Sequence, residues 1–359
     1  HLRDAFPGNP VWATLALWQS HVEWRGCTLH DLIQPSFSFL VGVALPFSLA
    51  ARENEGQSPA RQWGHALIRS AALILLGVFL RSVGHPQTRW TFEDTLTQIG
   101  LGYPLLFALA RRPAREAPWA IGSVLVAVWL WFVLRPLSLP GPDQGVEPGW
   151  PHLMQGFAAH WNKNANPAFD FDVWFLNLLP RESVFRYNGG GYSTLSFLPT
   201  LATMALGLVA GRWMRAIPER RGLLRMLAVA AVAGITLGIV LDVTGICPAV
   251  KRIWTPGWVV FSGGWCAALL AGFVAWCDPP GTGRGTDWLR TIGANSIAAY
   301  VGSHWFADLV RGALRTHLGP EVLGIFGEAY VPTVTGACML VVFFAVLHWM
   351  RRRRLFLKL

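Results

Sequence analysis

A histidine, a tryptophan and a glycine stand just ahead of a long apolar run in the stretch HVEWRGCTLHDLIQPSFSFLVG (residues 21–42), and an aspartate and a proline are carried into that run. Ionisable groups at the entrance of an apolar segment are costly to desolvate, which makes function their default reading. His21 can take up and release a proton near neutral pH, and its neutral ring can attack an acyl carbon. Asp31 can hold one tautomer of that imidazole, as a carboxylate does in a triad. The chain must then fold back between the two residues. Simpler roles stand beside these: a backbone-bonded interfacial histidine, and an aspartate favoured by a helix N-terminus.

Further polar candidates are spread over the chain. Gln98 follows Asp94 at the start of an apolar run; Asp172 and Tyr192 lie in a long polar and aromatic segment beside Asn164, Asn166, Asp170 and Asn188; Lys251, Arg252 and Trp254 crowd a short connection. Asn295, Ser296, Tyr300 and His304 recur near helical spacing, so one helix face would carry them all, with His304 about 13 Å along from Asn295. A polar stripe on an apolar helix faces the bundle interior. The bland alternatives are interhelical polar glue for Asn295 and Ser296, and interface anchors for Lys251, Arg252 and Trp254.

The elements that must position these groups are membrane helices. Hydrophobic residues make up 53% of the 359-residue chain and charged residues only 14%, with 19 Trp and 21 Phe. Repeated apolar runs of roughly 20 residues are long enough to cross a hydrocarbon core. The pattern predicts an all-α polytopic membrane protein with about nine spans: 29–50, 64–83, 95–111, 117–135, 194–213, 223–244, 256–277, 287–309 and 330–350. The third is short and polar, and is expected to pack inside the bundle. The whole of 1–359 reads as one transmembrane domain. The connection 136–193 is too long to be a mere linker, and its aromatic content argues for a folded loop capping one mouth of the bundle. The chain opens on His1, and a preceding segment with one more membrane helix is expected.

Charge assigns the sides. The net charge is +10, but the basic residues fall in short clusters between apolar runs. Arg52, Arg61, Arg111, Arg112, Arg115, Arg212, Arg215, Arg220, Arg221, Arg284, Arg351–Arg354 and Lys358 all lie on one side of the expected topology. By the positive-inside rule that side is cytoplasmic, so His21 is expected outside and the C-terminus inside. No soluble basic face exists to carry phosphate contacts, which excludes nucleic acid as a partner. The clusters read first as topology determinants. Arg111, Arg112, Arg212 and Arg215 are also suited to an anionic, phosphate-bearing ligand. The five cysteines show no metal-ligand spacing, and no metal is expected. Cys27 and Cys247 fall on the same side, where a disulfide is conceivable.

The chain resembles the heparan-α-glucosaminide N-acetyltransferase family of transmembrane acetyltransferases, in its bacterial branch. The match is carried by His21-x-x-Trp24-x-Gly26-x-Thr28-x-x-Asp31-Leu32-x-x-Pro35-x-Phe37-x-Phe39-x-x-Gly42. It continues through Gln98-Ile99 with Tyr103, Gly191-Tyr192-Ser193-Thr194-Leu195 leading to Pro199, Trp254-Thr255, and Gly293-x-Asn295-Ser296-Ile297 with Tyr300-Val301-Gly302. The resemblance implies transfer of an acetyl group from cytosolic acetyl-CoA to an amino sugar or glycan across the membrane, in a bacterial cytoplasmic membrane. His21 matches the family's active-site histidine. The family's first membrane helix, with its Arg-Gly motif, has no counterpart here. Neither does the asparagine of the preceding segment: Asn9 is differently spaced.

On this reading His21, Asp31 and Asn295 are the catalytic candidates, with Asn295 or Ser296 as oxyanion donor. Trp24, Gln98, Asp172, Tyr192, Lys251, Trp254, Ser296, Tyr300 and His304 are the substrate-binding candidates, and Arg111, Arg112, Arg212 and Arg215 those for the acetyl-CoA donor. Expected partners are acetyl-CoA, the acceptor and membrane lipid; a homodimer is compatible with the sequence. Two other readings stay open: an O-acetyltransferase of envelope polysaccharide, and a small-molecule transporter, although no inverted repeat is visible.

Overall fold

The computed structural model describes residues 1–278 and 285–357; Arg284 and Lys358 of the basic clusters lie outside them. The helices, in chain order, are α1 (Leu2–Ala5), α2 (Pro10–Trp18), α3 (Ile33–Asn54, entered through a 3-10 turn at His30–Leu32), α4 (Pro59–Ser82), α5 (Thr95–Ala110), α6 (Glu116–Leu134), α7 (Pro167–Leu176), α8 (Phe197–Ala216), α9 (Arg220–Val243), α10 (Pro256–Cys277), α11 (Asp287–Ala294), α12 (Ser296–Trp305), α13 (Ala307–Leu323) and α14 (Val331–Arg352). Among the described residues seven helices are long and apolar enough to cross a membrane, and α5 is a shorter apolar helix. This is an all-α integral membrane protein. Two compact units divide it: Ser20–Ala275, and His1–Gln19 together with Trp276–Leu359.

Eight of the expected spans coincide with helices. The one expected at 287–309 does not form a continuous helix: it breaks at Asn295 (φ −132°, ψ 41°) and again at Phe306. Asn295 stands at the break itself, so the expected polar face is corrected at its first member: Ser296, Tyr300 and His304 share one face of α12, and Asn295 lies outside that helix. The break is held by the Asn295 side chain, which donates to Leu355 O and accepts from Leu357 N, both at 3.1 Å. An apolar run does not disclose such a break, because the bonds that stabilise it come from a segment sixty residues away.

Inside the larger unit, α8 is the central helix. Within its most apolar stretch, 72% of residues are buried, against 17% for α9. Glycines bring α3 and α8 into backbone contact. A Cβ at Gly42 would lie 1.8 Å from Met204 O, and one at Gly207 1.9 Å from Phe39 O. Small residues permit this approach, which matters in lipid because van der Waals contact replaces the hydrophobic drive between helices. At the start of α5, Asp94 accepts from Leu96 N at 2.9 Å and Thr97 N at 3.2 Å, a side-chain cap on its first turn.

The loop 135–193 is folded. Three buried asparagines staple it: Asn162 exchanges two 2.9 Å bonds with the Met154 backbone, Asn164 donates to Gln144 O (2.8 Å) and Asn188 O (2.9 Å), and Asn166 donates to Asn162 O (2.9 Å) and caps α7. Arg135 clasps Asp170. Trp161 and Trp24, both fully buried, form with Phe132, Met154 and Val250 an apolar cluster that seats the loop on the His21 segment.

Candidate active site

Three segments build the site. The first is the His21–Thr28 approach to α3. Gly26 turns it at φ 113°, a conformation open to glycine. It pairs antiparallel with the connection between α9 and α10: Arg25 bridges Val250, and Gly26 N donates to Ala249 O at 3.1 Å. Arg25 also forks onto Asp242, with its Nε 2.8 Å from Oδ1. The second segment, 246–255, is tightly wound. Thr255 Oγ1 donates to Pro248 O at 2.6 Å and accepts from Val250 N at 3.0 Å. Trp254 sits at φ 52°, its indole donating to Thr203 Oγ1 at 3.0 Å. The third is the turn 188–194.

These placements bring His21, Asp31 and Lys251 together. His21 Nδ1 lies 2.7 Å from Asp31 Oδ1, and Lys251 Nζ lies 3.2 Å from the same oxygen and 3.1 Å from Nδ1. The other carboxylate oxygen accepts from Thr28 N (3.0 Å) and Val22 N (3.2 Å), and lies 3.0 Å from Thr28 Oγ1. Asp31 is 1% exposed and Lys251 6%, whereas the His21 side chain is 40% exposed. The tautomer follows from the geometry. A lone pair on Nδ1 would face a carboxylate oxygen at 2.7 Å, so Nδ1 carries the proton and donates it to Asp31. Nε2 is then left bare. Burial and, next, the Lys251 ammonium hold the imidazole below its ordinary pKa, with Asp31 pulling the other way. A neutral ring with a bare Nε2 can act as a general base or as a nucleophile.

The other candidates divide by placement. Trp24 is fully buried and donates to Trp161 O at 3.0 Å. Its ring is the platform on which the 188–194 turn sits: a Cβ at Gly191, whose φ is 76°, would meet that ring at 2.6 Å. Gln98 and Asp172 grip one residue, Thr194, by its carbonyl and its N–H. Gln98 donates to Thr194 O at 3.1 Å, and Asp172 accepts from Thr194 N at 3.0 Å. Burial pushes the Asp172 carboxyl up to about 7; the bonds from Thr194 oppose this, and Glu93 adds to it. Tyr192, on the same turn, lies under the Arg252 guanidinium, 5.2 Å from its ring centre. Arg252 donates to Gly190 O (2.8 Å) and Val22 O (3.4 Å), tying the turn to the residue after His21. Sequence reasoning left Arg252 as an interface anchor. Its signal was present, since it adjoins Lys251, but its partner carbonyls carry no mark in a sequence.

Beyond the turn a groove of about 710 Å³ opens, with Arg81, Arg89, Trp90, Glu93, Arg181 and Tyr187 in its lining. Burial raises the Tyr192 phenol above its ordinary pKa. Arg252 and Arg81 oppose this and Asp31 and Glu93 add to it; Asn188 and Gly189 of the 188–194 turn line the groove.

Asn295, Ser296, Tyr300 and His304 belong to the other unit. There Asn295 is fully buried on the 355–357 backbone, Ser296 begins α12, and His304 Nδ1 lies 2.9 Å from Tyr300 O. The four arginines proposed for the donor cluster at the ends of α5 and α8. Arg212 donates to Leu109, Ala110 and Arg112 carbonyls (3.2, 2.9 and 2.8 Å), Arg215 to Pro46 O (2.9 Å) and Arg111 to Gln62 Oε1 (2.9 Å). Arg112 is largely exposed, 4.0 Å from Glu116. Cys27 and Cys247 are both thiols, each pushed up to about 12 by burial. The Cys27 thiol donates to Thr28 O, and the Cys247 sulfur accepts from Gly257 N.

No family model matches the chain. Among curated proteins it is similar to heparan-alpha-glucosaminide N-acetyltransferase of Homo sapiens, with 23% identity over 80% of this chain and 49% of that protein. The Mus musculus protein of the same name is 22% identical over 79% of this chain and 48% of its own length. The chain thus spans about half the length of the curated relatives it matches.

Proposed function

The chain is related at the family level to the heparan-alpha-glucosaminide N-acetyltransferases, and on that premise we propose that it is a membrane acetyltransferase. It carries an acetyl group from acetyl-CoA on the cytoplasmic side to an amino sugar or glycan on the other. The observation that carries this reading is the 2.7 Å contact of His21 Nδ1 with Asp31, which leaves Nε2 bare on the one half-exposed member of the cluster.

The donor approaches from the arginine-rich ends of α5 and α8, where exposed Arg112 and neighbouring Arg111 suit its phosphates. The α3 helix spans about 33 Å at 1.5 Å per residue, so the thioester must travel most of a bilayer to reach His21. The acceptor enters by the groove beside the 188–194 turn, where Arg81, Trp90 and Glu93 offer a charged and aromatic lining for a sugar. In the transfer step the amine nitrogen attacks the thioester carbon. The amine proton passes to His21 Nε2, the C–S bond breaks, and the CoA thiolate takes the proton from the imidazolium. Asp31 keeps the ring in the one tautomer able to do this. Direct attack with both substrates bound needs no stable intermediate, and is the course we favour over an acyl-histidine. The positive-inside rule puts the His21 end outside the cytoplasm and the C-terminus within it.

The test is to incubate full-length protein in detergent with radiolabelled acetyl-CoA, with and without glucosamine, beside His21→Ala. Label on the sugar from the wild type alone supports the reading. Label held on the protein without sugar, and lost in the variant, replaces direct attack by an acyl-histidine. A folded wild type that binds no acetyl-CoA sinks the reading.

A further inference from the structure

The lysine of the cluster is the feature that a histidine–carboxylate pair does not need. A carboxylate beside an imidazole ordinarily stabilises the imidazolium and strengthens the base. Here the Asp31 Oδ1 that receives Nδ1–H is also 3.2 Å from the Lys251 ammonium, and the ammonium is 3.1 Å from Nδ1 itself. With Nδ1 protonated that second contact is no hydrogen bond. It sets a fixed positive charge against the ring edge. The Lys251 side chain is buried against Asp31, at 6% exposed, and its backbone is held by the Arg25–Val250 bridge and by Trp254 N donating to Lys251 O at 2.9 Å. Burial draws the Lys251 pKa down, and Asp31 opposes this, since a neutral lysine would leave it a buried carboxylate without a counter-ion.

We propose that Lys251 is a positioning residue that keeps His21 a neutral imidazole with a free Nε2, by opposing a second positive charge on the ring at contact distance. The inference rests on the reading of His21 as the base. It moves Lys251 from substrate contact to control of the base. A proton taken from the amine then makes a short-lived imidazolium, poised to return it to the departing thiolate. The cluster also keeps its base unprotonated at pH values where an ordinary histidine is charged. The other groups facing His21 fit this account. His30 and Asp31 come from the start of α3, with the His30 ring centre 4.4 Å from that of His21. Arg252, from the Lys251 loop, reaches the Val22 carbonyl at 3.4 Å rather than the ring. Cys27, pushed up to about 12, stays neutral. Glu23 is turned away onto Trp150 and His152.

The experiment is an NMR titration of histidine-labelled full-length protein in nanodiscs, with the His21 signal assigned by its loss in His21→Gln. The pH profile of kcat/KM for acetyl transfer is measured alongside. Wild-type His21 is expected to titrate below the free value of about 6.5. Lys251→Met should raise both that pKa and the acidic limb of the profile by about one unit; Lys251→Arg, which keeps the charge, should hold both near wild type. A wild-type His21 titrating at or above the free value overturns the proposal without any variant, as does an unmoved His21 pKa in folded Lys251→Met. If Lys251→Met does not fold, the wild-type titration and Lys251→Arg decide. A His21 shift with no acetyl transfer by any protein would sustain the coupling and sink the acetyltransferase reading, so the two failures are separable.

Discussion

The two ends of the larger unit hold charge in different ways. At the His21 end, ionisable side chains meet one another: His21 and Lys251 on Asp31, and Arg25 on Asp242. At the arginine-rich end, guanidinium groups mostly meet backbone carbonyls. Arg212 gathers three from the end of α5 and its exit, Arg215 takes Pro46 O, and Arg220 takes Ala275 O. For Arg212 and Arg220 the carbonyls lie in or just past the last turn of α5 and α10, where they have no partner within the helix, and a cation there satisfies them and matches the helix dipole; Pro46 O lies inside α3. Such a bond anchors an element but leaves protonation untouched. Charge set against charge in a dry site changes which protonation state is stable. The contrast separates a region that anchors helices from the region to which we assign the proton transfer.

The largest effect that tests this contrast is His21→Ala. Its acetyl transfer should fall by about 10²–10⁴, the usual share of a general base, while its melting temperature stays close to wild type because the side chain is 40% exposed. A full-rate alanine variant would break the comparison at once. Asp31→Asn should lose activity as well, and unlike His21→Ala it should destabilise the fold by about 3–5 kcal/mol, since it strands buried Lys251 without its counter-charge. Thermal unfolding of the two variants side by side reads that difference.

At the other end, Arg212→Ala should cost about 2 kcal/mol of stability through lost charge-assisted bonds, with little change in kcat. Arg112→Ala should leave stability unchanged and raise KM for acetyl-CoA roughly tenfold, the equivalent of one lost phosphate contact at about 1.4 kcal/mol. If Arg212→Ala raised KM for acetyl-CoA and kept its stability, the arginine end would no longer count as mere anchorage.

The smallest effect sharpens the picture at the 188–194 turn. The Asp172 carboxyl is raised to about 7 in the fold from an ordinary 3.8. A group raised on folding contributes stability that is complete below its unfolded pKa and is lost as pH climbs through the folded value. Wild type should therefore lose stability between about pH 4 and 7, and Asp172→Asn should flatten that slope in urea or thermal unfolding measured across the range. Its amide oxygen can still accept from Thr194 N, so the turn that carries Tyr192 is kept.

Much of the molecule is legible one segment at a time. Lipid demands that each span satisfy its own backbone and cover its own length with apolar side chains, so the eight spans that held are written locally. The expected span at 287–309 failed because its break depends on Asn295 bonding the distant 355–357 backbone, which no local pattern encodes. The site was legible in its parts. His21 and Asp31 stand out by type and place, and the need for a fold-back was plain. That Gln98 and Asp172 converge on Thr194, and that Trp24 packs against Gly191 of the same turn, was not.

By itself, then, the sequence determined the membrane class, nearly all the spans, the basic clusters and the histidine and aspartate able to do chemistry. These follow from constraints that act within one helix or one turn. Only the tertiary structure decided that Lys251 shares Asp31 with His21, that Arg252 joins the Tyr192 turn to the residue after His21, and that Asn295 closes a break. Each of those depends on segments tens to hundreds of residues apart meeting within about 3 Å. Their meeting is set by glycine-close helix packing and an antiparallel bridge, neither of which composition or spacing reveals.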